Sequence, residues 1–272
     1  MDSNKQLLFE VEWKKQELKL HELCSMGAQN YFTSRFSNLN QAFLEKHDTA
    51  VCIDEGTSLM ETSGEGKICL AGLGMLYVGG SEAERLENVA NKLEELKVRV
   101  VTSHSGCGAA GLAYRRDFPG KEPTPEEVNS YAIEWGNKVV DKMRASGREI
   151  SHRYVEAEEM NRPAEFHNAV AVYYDGTGEF NAVVLRGAPQ GFGINRKYLP
   201  AEYAQAELKI AVSIAFGHHG FGKKFSANAP FVIVIVAHEK TLALELEKEV
   251  AQILQTNQDF VNKRIKIESL VV

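Results

Sequence analysis

Apolar positions along this chain recur with two periods, helical and strand-like, and the alternation between them predicts an α/β protein. Over residues 5–24, Leu7, Leu8, Val11, Leu18 and Leu23 stand among many charges, as in an amphipathic helix that packs on another subunit or on the main body. A second helical stretch over about 27–46 carries Tyr31, Phe32, Phe36, Leu39, Phe43 and Leu44. It leads into the buried-strand run Thr49–Ile53, which Asp54-Glu55-Gly56 breaks. Lys67–Leu76 is strand-like. Ser81 and Glu84 form a capping box ahead of Ala83, Leu86, Val89, Ala90, Leu93 and Leu96 at helical spacing. Val98–Val101 is a third strand, which delivers the turn from Ser103 to Gly111.

Strand, helix and strand in succession imply a mostly parallel central sheet flanked by helices, because a parallel pairing needs a crossover of that length. Ligands collect beyond the carboxyl ends of such strands, where Cys52 and His104 fall. Thr124-Pro125 opens a further helix, with Glu127 completing its capping box, an apolar stripe from Val128 to Met143, and Gly147 as its stop. Phe166–Tyr174 and Glu179–Leu185 are predicted to form a hairpin through Asp175-Gly176-Thr177-Gly178. After Arg186 come a glycine-rich loop, a helix near 201–216, the strand Phe231–Ala237, a helix near 241–255 and the strand Ile265–Val272.

The chain has 272 residues, 44% of them apolar, which is enough for a substantial core. Its formal charge of -6 offers no basic footprint for nucleic acid. The charged opening stretch lacks the apolar core of a signal peptide or membrane span, so the expected location is the cytoplasm and no membrane partner is expected. Four cysteines, Cys24, Cys52, Cys69 and Cys107, are too few for a disulfide scaffold and direct attention to metal binding.

Two thiolates and an imidazole are donors that Zn²⁺ favours, and three protein ligands leave a fourth tetrahedral position. His104 and Cys107 lie three residues apart in a glycine-containing turn, and Cys52 at a neighbouring strand end completes the set. A cysteine at a strand end is also a common small core residue, and H-x-x-C recurs by chance, so spacing alone leaves both readings open. Cys107 as a nucleophile activated by His104 is a third reading, but no orienting third group is evident. His218-His219 in a glycine loop reads as an exposed pair or a second site, and His152, His167 and His238 as structural or surface groups.

The surrounding residues change the balance. Cys52-Ile53-Asp54, followed by His104-Ser105-Gly106-Cys107-Gly108, resembles the β-class carbonic anhydrase signature of C-x-D-x-R before H-x-x-C-G. Ile68–Gly72 is similar to that family's strand ending in Ala-Gly, and Phe166–Leu185 to its late hairpin. The resemblance implies a zinc domain over 28–186, preceded by an N-terminal helical arm over 1–27 and followed by a C-terminal α/β extension over 187–272. It implies Cys52, His104 and Cys107 as zinc ligands, and Asp54 as either the acceptor beside zinc-bound hydroxide or a fourth ligand. The implied reaction is reversible hydration of carbon dioxide to bicarbonate, in a homodimer or larger even-numbered oligomer. Carbonyl sulfide or carbon disulfide hydrolysis and a non-catalytic zinc-binding or regulatory role are the alternatives.

One departure bears on activity. The family's arginine, which holds the aspartate off the metal, is here Gly56, and Arg35, Arg115, Arg116 and Arg153 are the cations considered as substitutes. The family's substrate-orienting glutamine has no counterpart in Phe43–Thr49.

Overall fold

The structure is a computed structural model that describes residues 3–44, 47–59, 66–77 and 80–272. The end of the expected second helix, at 45–46, lies outside the described residues. The chain is α/β, with two four-stranded, all-parallel sheets flanked by helices, and it divides into two compact units.

One unit spans Leu44–Ala164. Its elements are β1 (His47–Val51), β2 (Gly66–Cys69), α1 (Glu82–Glu95), β3 (Val100–His104), α2 (Gly108–Asp117), α3 (Pro125–Ala145) and β4 (Ser151–Val155). The strand order is β2-β1-β3-β4. Both predicted capping boxes form: Ser81 with Glu84 opens α1, and Thr124 with Glu127 opens α3, where Pro125 takes a first-turn position. Val89, Ala90 and Leu93 of α1 and Trp135, Val139 and Met143 of α3 are buried in this unit's core with Ala50, Val51, Ile68 and Val101 of the sheet. Each fully buried Val, Leu, Ile or Met among them contributes about 1.5–3 kcal/mol of burial.

The other unit joins the residues up to Phe43 to Glu165–Val272. It holds α4 (Ser3–Met26), α5 (Ala28–Arg35), β5 (Ala171–Asp175), β6 (Gly191–Ile194), α6 (Ala201–Phe216), β7 (Phe231–Ala237), α7 (Lys240–Leu254), α8 (Gln258–Val261) and β8 (Ile265–Val271). Its order is β6-β5-β7-β8. Every residue of β5 and β7 is buried, the signature of central parallel strands covered on both faces. On α4, Trp13, Leu20 and Leu23 are buried, whereas Leu7, Val11 and Leu18 are 66%, 42% and 73% exposed.

Two expectations change. The compact units meet at 43/44 and 164/165, whereas the boundaries expected were 27/28 and 186/187. The expected hairpin over Phe166–Leu185 is absent: β5 pairs in parallel with β6 and β7, and only Phe180 makes an isolated antiparallel bridge, to Phe43. The turn chemistry is spent on a loop stapled to Asp175. Its Oδ1 accepts from Thr177 N–H and Oγ1, and its Oδ2 accepts from Phe180 N–H and Asn195 Nδ2. That loop carries the chain away from β5 instead of folding it back.

Candidate metal centre

β1 and β3 are adjacent and parallel, so their carboxyl ends lie side by side and bring Cys52 next to the His104–Cys107 turn. The ligand atoms of Cys52, His104 and Cys107 all lie within 4.8 Å of one another and form a possible metal-binding group. All three residues are buried, at 5%, 2% and 2% exposure. The sulfurs of Cys52 and Cys107 are 3.9 Å apart. Tetrahedral zinc with metal–sulfur bonds of about 2.3 Å sets its sulfurs about 3.8 Å apart, so the spacing fits such an ion.

The imidazole adds an independent observation. His104 Nδ1 lies 3.0 Å from the Ser105 carbonyl oxygen, to which it donates, leaving the lone pair on Nε2. Nε2 is buried and has no hydrogen-bond partner. In the neutral imidazole this nitrogen is a buried acceptor, and a bound cation would satisfy it in place of a proton.

The local chain is shaped to hold this set. Gly106 adopts φ +66°, the left-handed turn that brings Cys107 round after His104, and its N–H donates to Asn129 Oδ1 on α3 at 2.9 Å. Cys107 occupies the N-cap position of α2. Its thiol is pulled below the usual range by the hydrogen bond from Cys52, against burial, with help from the N–H groups of Ala110 and Ala109. The same shared hydrogen bond, together with burial, pushes Cys52 well up, so the pair shares a proton with the charge on Cys107. Gly72 N–H points at Cys52 Sγ from 3.3 Å. It sits in a left-handed pair, Gly72 and Leu73, whose strained Leu73 (φ 53°) is held by Trp135 Nε1 donating to its carbonyl at 3.0 Å. Burial opposes charge on His104, but Asp54 and Cys52 outweigh it and push its pKa up to about 9.

Asp54 stands beside the three ligands and outside their group. Its Oδ1 accepts from Arg162 Nε at 2.9 Å and from Gly56 N–H at 2.8 Å, and its Oδ2 accepts from Arg162 Nη2 at 3.2 Å. The side chains of this fork-to-carboxylate pair are only 5% and 4% exposed. Arg162 Nη1 donates to the Pro163 carbonyl, which fixes the guanidinium plane. Thr57 Oγ1 bonds the carbonyls of Cys52 and Asp54 at 2.9 and 2.8 Å, so the loop after β1 is tied from both ends.

The cation beside Asp54 is therefore Arg162, which was not among the four arginines considered. Each of those four pairs with another carboxylate: Arg35 with Glu22, Arg115 with Glu122, Arg116 with Asp117 and Arg153 with Glu159. The position of Gly56 is explained by the same geometry. A Cβ there would stand 2.8 Å from Arg162 Cγ and 2.7 Å from Met160 Cε, so the glycine makes room for an arginine arriving from after β4. Arg162-Pro163 comes after β4, at the carboxyl end of the same parallel sheet as the ligands, but it lies 108 residues from Asp54.

His152, His238, His218 and His219 lie outside the group of three ligands. His152 joins Ser103 Oγ and Asn137 Oδ1, in a slot that Gly136 leaves open. His238 pairs with Glu179. His218 and His219 are exposed and belong to no group of three potential ligands among the described residues. Among the same residues, no helix is long and apolar enough to cross a membrane. Comparison of the chain with protein-family models, curated proteins and solved structures finds no match in any of the three.

Proposed function

We propose that this protein binds one zinc ion through Cys52, His104 and Cys107 and hydrates carbon dioxide reversibly to bicarbonate. The observation that carries this reading is the buried Asp54–Arg162 clamp beside a three-ligand group. Three ligands alone describe many zinc sites, whereas a carboxylate restrained next to an open fourth position describes a reactive one. Bound zinc would act as a Lewis acid that brings the pKa of a water towards 7 and so provides a nucleophile near neutral pH.

The chain's own residues do the remaining work. Arg162 occupies both oxygens of Asp54 and so favours keeping this carboxylate out of the fourth position. Held in place in this way, Asp54 would accept a hydrogen bond from a donor at that position and orient it. The Gly72 N–H and the start of α2 stabilise the thiolates without competing for the open side. Carbon dioxide is small and apolar, which suits a centre this deeply buried, and carbonyl sulfide or carbon disulfide would suit it on the same grounds.

Burial also favours a second reading, a zinc site with a purely structural or regulatory role, because the three ligands are almost inaccessible. Zinc content and stopped-flow carbon dioxide hydration across pH decide between the two. The hydratase reading requires turnover that Asp54→Asn lowers while zinc is retained. A fully loaded protein without turnover at any pH would establish the second reading instead.

A further inference from the structure

We propose that the outer edge of β8 is an interface for a second copy of this chain, paired antiparallel about Ile267. β8 is the last strand of its sheet, with no strand beyond it among the described residues. Its register shows which groups face outward. The Arg264 carbonyl accepts from Phe231 N–H and Val272 N–H donates to Ala237, so the even-numbered residues bond to β7. The N–H and C=O groups of Ile265, Ile267, Ser269 and Val271 therefore point the other way. The last of these is already covered: Gln29 of α5 accepts from Val271 N–H at 2.8 Å and donates to its carbonyl at 3.1 Å. Of the others, Ile265 is buried at 3% exposure, so the open part of the edge runs over Ile267 and Ser269.

Charge selects Ile267 as the midpoint. In an antiparallel pair about Ile267, Lys266 of each copy stands opposite Glu268 of the other. These even-numbered positions are the non-hydrogen-bonded pairs of the new ladder, where facing side chains come closest. Within one chain, Lys266 Nζ and Glu268 Oε1 are 2.6 Å apart, on the same face of the sheet. Two copies would thus place four alternating charges together, with main-chain bonds at the central Ile267–Ile267 pair. A register shifted by one residue breaks the charge match and sets odd positions against even ones.

The flank of the edge is apolar. A groove of about 500 Å³ runs beside Ile265 and Ile267, lined also by Ala227, Pro230, Phe260, Lys263 and Lys266. Nearby Val261 is 56% exposed. An open edge with an apolar flank is a liability in a monomer, and pairing with its own copy removes it. The product is one continuous sheet of eight strands across a two-fold axis.

Sedimentation equilibrium on the full chain at micromolar concentrations, with folding checked by circular dichroism, tests the interface. Wild type is expected to dimerise. Lys266→Glu and Glu268→Lys each place like charges opposite one another and should weaken association about tenfold or more. An equimolar mixture of the two variants restores complementarity and should dimerise as a heterodimer. The double swap K266E/E268K should recover self-association, which controls for damage to the Ala28 N–H bond to Glu268. A monomeric wild type overturns the proposal. So does a dimer that both single variants leave unchanged, which would move the interface to a surface such as the exposed Leu7–Leu18 stripe, and so does a mixture that fails to associate.

Discussion

Replacing Arg162 with Met tests the assignment of the buried pair most directly. The substitution keeps much of the side-chain volume but removes the charge, leaving the Asp54 carboxylate, 4% exposed at its side chain, without its guanidinium partner. Removing one partner of a buried pair typically costs about 3–5 kcal/mol, because the other charge is left uncompensated. Asp54→Asn alone strands the guanidinium in the same way. The double variant R162M/D54N removes both charges and should recover at least about 2 kcal/mol relative to the sum of the singles. The assay is urea unfolding followed by circular dichroism, on protein stripped of metal with chelator so that metal affinity does not enter the comparison. A loss below about 1 kcal/mol for Arg162→Met, or singles that simply add, would mean the two groups are not coupled as their 2.9 and 3.2 Å contacts imply.

Other outcomes follow from the same geometry. Cys52→Ser or Cys107→Ser should remove most of the zinc measured by atomic absorption, whereas Cys24→Ser should leave it, since Cys24 lies outside the ligand group. Gly56→Ala should cost about 1–3 kcal/mol in chemical unfolding and lower turnover, because its methyl group displaces Arg162 and Met160; a neutral result would refute the close approach. Asp117 is held at about 2 by Arg116, against burial, with Tyr131 and Arg85 assisting. Its folded pKa is depressed, so its contribution is present above the unfolded value of 3.8 and is lost as pH falls through about 2. Asp117→Asn should therefore cost up to about 2 kcal/mol at pH 7, with the difference from wild type closing near pH 2 in unfolding titrations.

Much of the fold was legible where local chemistry is strong. The two capping boxes fixed the starts of α1 and α3, and the seven-residue apolar run fixed β7, because these signals are contained within a few residues. β6 was hidden because two of its four residues are glycines. Gly191 is required there: a Cβ would lie 2.9 Å from the Ala171 carbonyl on the neighbouring strand. β4, Ser-His-Arg-Tyr-Val, is a half-exposed edge strand with little apolar pattern to detect. In the site, the three metal-ligating types were readable from spacing and resemblance, and their clustering follows from two adjacent parallel strands. Arg162 was not, because no local rule links a loop arginine to a carboxylate 108 residues away in the chain.

Topology also explains why the second sheet lacks a comparable centre at equivalent positions. Both sheets run in the order second, first, third, fourth by chain position, all parallel. Setting the last β1–β2 pair, Val51–Cys69, on the last β5–β6 pair, Tyr174–Ile194, places Cys52 on Asp175. Setting the last β3–β4 pair, His104–Val155, on the last β7–β8 pair, Ala237–Val271, places His104 on Ala237. The two superpositions agree, since Ala50 pairs with Val101 and the corresponding Tyr173 pairs with Val234. At the position of the imidazole the second sheet therefore carries a methyl group, which cannot ligate. At the position of the first thiolate it carries Asp175, whose oxygens already accept four hydrogen bonds from its own loop and from Asn195. Burial pushes that carboxyl up, and the hydrogen bonds oppose the shift, so the residue works as a loop staple. The same strand order thus supports a ligand group in one unit and a hydrogen-bonded turn in the other, and the difference rests on which side chains occupy two strand ends.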